Sequence, residues 1–558
     1  MIMSVRRAVA LTFAFTFALC LLTLDLGVAH AQEPPPSTHR PPTRADVLRG
    51  EYGRYRANND LLYDHLDVRV DPEQRTIAGR NTIRFRMLTD DTRIQLDLAS
   101  NLSVDRIVLG TTLLEYERDL DTVYVDFPST LRSGREYSID FHYSGMPREQ
   151  GRFGGLAFRK DPAGRHWITT ACEDEGASVW WPNKDQWRDE VERMDLSVAI
   201  PSDLVDVSNG RLVGRTDLGD GYTRWDWRIQ YPINNYNVAL NIGRYEHFAE
   251  RMGDLTLDYY VLPENLDKAR QQFAQTAPML EVFESVFGEY PFARDGFKLI
   301  EVPYAGMEHQ SAVAYGNRFA NGYLERDWTG VGVSLKFDFI IIHESAHEWF
   351  GNAVSAADVS DMWIQEGWTT YLEGIYVEHM FGREDAVRYL NGLKPRVLNR
   401  EPIITQRGIH RQPDQDMYFK GALFLHTLRS VVDDDGLWWS AVRDFYQHFK
   451  YRNILTEDVV GFFTARLERD VSPIFDQYLR RAEIPTLELA FAADGTLAYR
   501  WRAGERRFAM PIRVRAGGRW STLEATTDWK TMPSPAPMDS LEVPVDLYYV
   551  KVEKRAVN

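Results

Sequence analysis

The chain has 558 residues, 26% of them charged and 44% hydrophobic, with a formal net charge of −16. That length exceeds one ordinary hydrophobic core and predicts two to four domains. The acidic balance argues against a nucleic-acid partner held by phosphate neutralisation, and 15 Trp within 13% aromatics argue against disorder.

The first segment reads as an export signal over residues 1–31. Arg6 and Arg7 form a basic start, an apolar stretch from about Ala8 to Val28 follows, and Ala29-His30-Ala31 offers a small-x-small cleavage site. The rival reading is an uncleaved anchor, because the apolar run approaches the ~20 residues that span a bilayer. Cleavage removes Cys20 and leaves Cys172 alone, so no intramolecular disulfide can form. The expectation is an exported protein of the bacterial periplasm or medium, without stable membrane insertion after cleavage.

Residues 32–48 are proline-rich and predict a linker. From 49 to 251 the period is two: "HLDVRVD", "NTIRFRML", "RIQLDL", "TVYVDF" and "YSIDFHY" predict an antiparallel β domain. From 252 to 484 helical spacing dominates. "NLDKARQQFAQTAPMLEVFESVFG" predicts a helix stopping at Gly288, and "FKLIEVP" a short strand after it. After Pro485, "LELAF", "LAYRWR", "AMPIRVR" and "VDLYYVKV" predict a small C-terminal β unit over 485–558. The fold class is therefore multidomain α+β.

Within the helical region, "IIHESAHEWFGN" places His343, Glu344 and His347 as H-E-x-x-H. Residues i and i+4 share a helix face, so both imidazoles can reach one ion, with Glu344 beside its open side. A lone H-x-x-x-H pair is more often structural, but the internal glutamate sharpens the match. Glu366 follows His347 after 18 residues on a second helical pattern. Two His, one Glu and an open fourth position make a catalytic zinc set, one ion per chain. Glu373, seven residues beyond Glu366, returns to that face. It can hold a ligand histidine through its other ring nitrogen or be a solvated helix glutamate. Glu344 is placed to act as general base.

The spacing HExxH-x18-E resembles the gluzincin zinc metallopeptidases of the aminopeptidase N and leukotriene-A hydrolase family. "HEWFGN" is similar to that family's HxWFGN, "QEGWTTYLE" to its NEGFAxYxE, "YAGMEHQ" to its G-x-M-E-N, "YFKG" to its Y-x-K-G, "TACEDEGASVWWPNKD" to its TQxExxxARxxFPCxD, and "FESVFGEYPF" to the helix end before the G-x-M-E-N strand. The resemblance implies a saddle-like N-terminal β domain, a thermolysin-like, mostly helical catalytic domain, and zinc-dependent release of N-terminal residues from peptides with a free N-terminus. By the same resemblance Tyr418 is the oxyanion donor, Glu173 and Glu308 bind the substrate's α-ammonium, and Ala305, Gly306, Met307 and His309 contact substrate backbone or line the pocket.

The sequence departs from the family at Ala305 for glycine, His309 for asparagine, Ala171 for glutamine and Gln365 for asparagine. Cys172, beside Glu173, is expected to pack as a small apolar group. The rival functions are an epoxide hydrolase of the same family, a catalytically dead binding scaffold, and an endopeptidase lacking the amine-binding glutamates.

Overall fold

The structure, a computed structural model, describes residues 41–150 and 154–557. The expected export signal, Cys20 and the first part of the linker lie outside the described residues. The end of that linker is not extended. Arg44–Gly50 is a helix, because Thr43 and Asp46 form a capping box that satisfies two otherwise unpaired N–H groups.

The alternating runs form strands as expected. In Asn59–Asp71, Leu66, Val68 and Val70 are fully buried while the residues between them are partly exposed. This strand lies in an eight-stranded sheet, between Thr76–Met87 and Met194–Pro201. The sheet is mixed, not purely antiparallel as expected: Asn59–Asp71 runs parallel to Met194–Pro201, with Leu66 opposite Leu196. A second sheet, of five strands, contains His166–Ala171. Glu173 stands two residues beyond its end.

The division expected at 251/252 falls inside a hairpin. Glu246–Met252 pairs antiparallel with Leu255–Val261, and both belong to the five-stranded sheet that ends in Gly306–Met307. The long helix expected before Gly288 is broken into Leu266–Gln272, a 3-10 turn and Thr276–Phe287. Gly288 ends it with φ +101°.

Three helices build the centre of the catalytic region. Phe339–Ala346 carries the H-E-x-x-H residues. Asp338 caps it by accepting from the N–H groups of Ile340 and Ile341. Trp363–Phe381 carries Glu366 and Glu373, and Asp416–Val432 carries Tyr418. The last two cross closely at a pair of glycines. A Cβ on Gly421 would lie 3.0 Å from the Cα of Gly367, and one on Gly367 would lie 3.0 Å from the Met417 carbonyl oxygen.

The C-terminal unit holds a four-stranded and a three-stranded sheet. Of the expected strand "VDLYYVKV" only its last two residues are extended, within Lys551–Val557. The preceding residues bond to helices instead: the Tyr549 N–H donates to Thr427 Oγ1 (2.9 Å), and the Tyr548 hydroxyl to the Ser430 carbonyl (3.0 Å). Among the described residues no helix is long and apolar enough to cross a membrane.

Candidate metal centre and active site

His343 and His347 project from one face of Phe339–Ala346 and its C-cap, with their rings 5.0 Å apart. Glu366 Oε2 lies 3.5 Å from His343 Nε2 and 3.3 Å from His347 Nε2. A tetrahedral zinc bound at about 2.0–2.1 Å separates its ligand atoms by roughly 3.3 Å, so the three atoms fit one ion. The buried Glu366 Oε2 has no hydrogen-bond partner, as an atom reserved for a metal requires. Although burial opposes it, the charges of His347 and His343 hold the Glu366 carboxyl down to about 2, which keeps it anionic.

The far side of each imidazole is occupied. His343 Nδ1 lies 2.6 Å from Glu373 Oε1, and the Tyr389 hydroxyl donates to Glu373 Oε2 (2.6 Å). His347 Nδ1 donates to the Phe350 carbonyl (2.9 Å), which also accepts from Thr369 Oγ1 (3.1 Å). With a metal bound, each ring would keep its proton on Nδ1, where these partners hold it, and turn its Nε2 lone pair to the ion. Glu373 is buried and in contact with His343, so it is not a solvated helix glutamate.

Glu344 borders the edge strand Gly306–Met307. A Cβ on Gly306 would lie 2.6 Å from Glu344 Oε1, so only glycine lets backbone and carboxylate approach this closely. Burial raises the Glu344 carboxyl to about 8, with the neighbouring histidines lowering it and Glu308 raising it. Tyr418 stacks near His343 with ring centroids 6.2 Å apart. Burial, then the charges of Glu366, Glu173 and Glu308, push its hydroxyl well above its ordinary range. It stays a proton donor.

Glu173 and Glu308 converge from separate parts of the chain. With Glu366, each offers one carboxylate oxygen to a group lying within 4.8 Å. Glu173 Oε1 is buried and unpartnered. Burial and the charges of Glu308 and Glu366 raise its pKa well above the usual range. Glu308 Oε1 accepts from the Tyr236 hydroxyl (2.9 Å), which in turn accepts from Gln365 Nε2 (3.0 Å). Asn352 Nδ2 donates to the Glu308 carbonyl (2.8 Å).

Of the other expected pocket residues, Ala305 accepts at its carbonyl from the Gly316 N–H (2.8 Å), and Met307 pairs with Ala314. His309 is fully buried, with both ring nitrogens unpartnered, and burial lowers its pKa to about 3. Cys172 is buried, and burial raises its thiol to about 12, so it is an inert packing group. A cavity of about 500 Å³ is lined by Ala171, Tyr304, Ala305 and Arg318 among others. Sequence reasoning missed Tyr236, Asn352, Thr369 and Tyr389, which orient the ligands and carboxylates.

Comparison with known proteins agrees with this geometry. Residues 58–236 match the peptidase M1 N-terminal domain, and residues 271–478 the peptidase family M1 domain. The human endoplasmic reticulum aminopeptidase 1 is 22% identical over 453 residues, covering 76% of this chain and 47% of that protein. A leucyl aminopeptidase of Saccharolobus solfataricus is 23% identical, covering 53% of this chain and 39% of that protein. The chain thus spans half or less of the length of these two relatives. Among solved structures, a mutant M1 zinc metallopeptidase of Deinococcus radiodurans bound to a Tyr-Ser-Ala substrate superposes with a TM-score of 0.64. It is 21% identical, with 79% of this chain and 98% of that chain covered, and it shares the fold.

Proposed function

Because this chain belongs to peptidase family M1, we propose that it is a zinc-dependent aminopeptidase hydrolysing the first peptide bond of substrates with a free N-terminus. One observation carries the reading: two buried carboxylates, Glu173 and Glu308, converge beside a His-His-Glu metal set, with no Lys or Arg ion-paired to either among the described residues. A substrate ammonium supplies such a cation.

His343, His347 and Glu366 would hold the zinc, with Glu373 and Phe350 O fixing the rings. Bound there, zinc supplies Lewis acidity to the scissile carbonyl and the attacking water. Glu344 takes the water's proton and passes it to the leaving nitrogen. A metal and a substrate ammonium bound nearby would lower its carboxyl from about 8 towards a working base. The Tyr418 hydroxyl donates to the carbonyl oxygen as negative charge develops there. Glu173 and Glu308 anchor the ammonium, which fixes the first bond in register and blocks a longer chain on that side. Export follows from the sequence of residues 1–31 alone, and we include it as part of the same proposal.

The test is kinetic, on matched free and N-acetylated peptides, with and without a chelator. Cleavage of the free peptide alone, abolished by chelation, supports the reading. Comparable cleavage of both, or internal cuts in a long blocked peptide, overturns it.

A further inference from the structure

Glu173 is held in place by its backbone more than by its own side chain. Its Oε1 makes no hydrogen bond, and its carboxylate lies in a group with one oxygen each of Glu308 and Glu366 within 4.8 Å of one another. The turn that carries it is tight: the Gly176 N–H donates to the Cys172 carbonyl (2.7 Å), and Gly176 has φ +80°. The aim of Glu173 is therefore set by whatever braces this turn.

The helix Arg44–Gly50 lies against the turn. A Cβ on Gly176 would overlap the Arg49 guanidinium, so that group fills the space where a side chain would sit. Arg49 Nη2 is 3.6 Å from Asp185 Oδ2, which accepts from the Ser178 N–H (3.1 Å) and hydroxyl (2.6 Å). On its other side the helix meets the loop leading to Tyr418. The His410 N–H donates to the Asp46 carbonyl (2.9 Å), and a Cβ on Gly50 would overlap the His410 backbone. His410 Nε2 then reaches back to the carbonyl of Asp174, the residue after Glu173 (3.0 Å).

The helix itself is fixed from behind. Fully buried Arg56 donates through Nη1 to the carbonyls of Leu48, Arg49 and Glu51 (2.9, 2.9 and 2.8 Å), and through Nη2 to Asp97 Oδ2 (2.7 Å). The same Asp97 oxygen accepts from the Asp185 N–H (3.0 Å). Helix, turn and loop therefore share one set of anchors.

We propose that Arg49 and His410 are positioning residues that clamp the 172–176 turn from two sides and keep Glu173 aimed at Glu308. Neither touches substrate. The inference rests on the aminopeptidase reading and assigns the N-terminal helix a part in recognising the substrate's amine. Loss of either contact lets the turn relax away from Glu308, which weakens ammonium binding in ground and transition states alike. That raises KM and leaves kcat nearly unchanged.

The experiment measures KM, kcat, zinc content and melting temperature for wild type, Arg49→Ala, His410→Ala and His410→Gln. Each uses the full chain and a chromogenic aminoacyl amide. The expected result is a roughly tenfold rise in KM for both alanine variants, with kcat within about twofold and zinc retained. His410→Gln, whose amide can still donate to the Asp174 carbonyl, recovers most of the loss. If Arg49→Ala does not fold, the two His410 variants carry the same test. Unchanged KM in folded alanine variants overturns the proposal. So does a fall in kcat and melting temperature together without a change in KM. A wild type that cleaves N-acetylated substrate equally well fails the aminopeptidase reading instead, and the two failures are distinct.

Discussion

The Tyr236 hydroxyl donates to Glu308 Oε1 across 2.9 Å, joining a residue of the β region to a carboxylate of the catalytic region. Because Gln365 Nε2 donates to the same hydroxyl, the tyrosine proton is directed at Glu308. The aim of Glu308 is thus set from outside the strand that bears it.

Tyr236→Phe should remove that one charge-assisted bond and leave the fold intact. Such bonds contribute about 1.5–3 kcal/mol, so KM for free-amine substrates should rise roughly 10-fold or more, with zinc retained. Steady-state kinetics decide it. An unchanged KM would mean that Glu308 is oriented by its backbone alone.

Glu344→Gln should keep zinc and fold but lose turnover by about 10²-fold or more, since an amide cannot accept the water's proton. Metal analysis and single-turnover assays on the same preparation check both halves. Activity above about a tenth of wild type would remove Glu344 from the role of base.

Glu373→Ala should act through His343. With Nδ1 no longer held, the ring loses its fixed tautomer, and zinc affinity should fall about 10- to 100-fold. Titration against a competing chelator measures this without any assay of turnover. Wild-type affinity in the variant would reduce the 2.6 Å contact to packing.

Asp206 makes a pH prediction away from the metal centre. Burial raises its carboxyl to about 8, although hydrogen bonds from Trp227 and Ser208 oppose the rise. An unfolded aspartate titrates near 3.9, so between about pH 4 and 8 the folded state holds a proton that the unfolded state has lost. Asp206 therefore contributes stability at low pH that is lost as pH rises through its folded pKa. Asp206→Asn cannot titrate, and its melting temperature should fall less between pH 5 and pH 9 than that of wild type. Parallel melting curves for the two proteins across that range would refute the assignment.

The sequence carried the metal set plainly, because His343, His347 and Glu366 sit at spacings that only helices convert into a single point. Glu373 was visible with two readings, histidine support and a solvated helix glutamate, between which spacing alone does not choose. Tyr236 was invisible: it is one of 27 tyrosines, and its partner lies 72 positions away with no periodic relation. Parallel pairing of Asn59–Asp71 with Met194–Pro201 is likewise a long-range choice that alternation does not encode. At Thr43 and Asp46 a capping signal stood in the sequence but was masked by proline-rich composition upstream. The segment before Lys551 has strand composition, yet its backbone finds helix partners, and context overrides propensity.

The contact between Gly367 and Gly421 sets the distance between two functions. Glu366 stands one residue before the first glycine and Tyr418 three before the second, so the crossing acts as a ruler between the proposed metal ligand and the proposed oxyanion donor. A methyl group added at Gly421 would push the helices apart and carry Tyr418 outwards, while the two histidines and Glu366 rest on other helices and keep their spacing. Holding metal and turning over substrate are thereby separable traits in this scaffold. On the proposed function, a single small substitution at the crossing would leave a zinc-loaded peptide binder in place of a hydrolase, without touching His343, His347, Glu366 or Glu344.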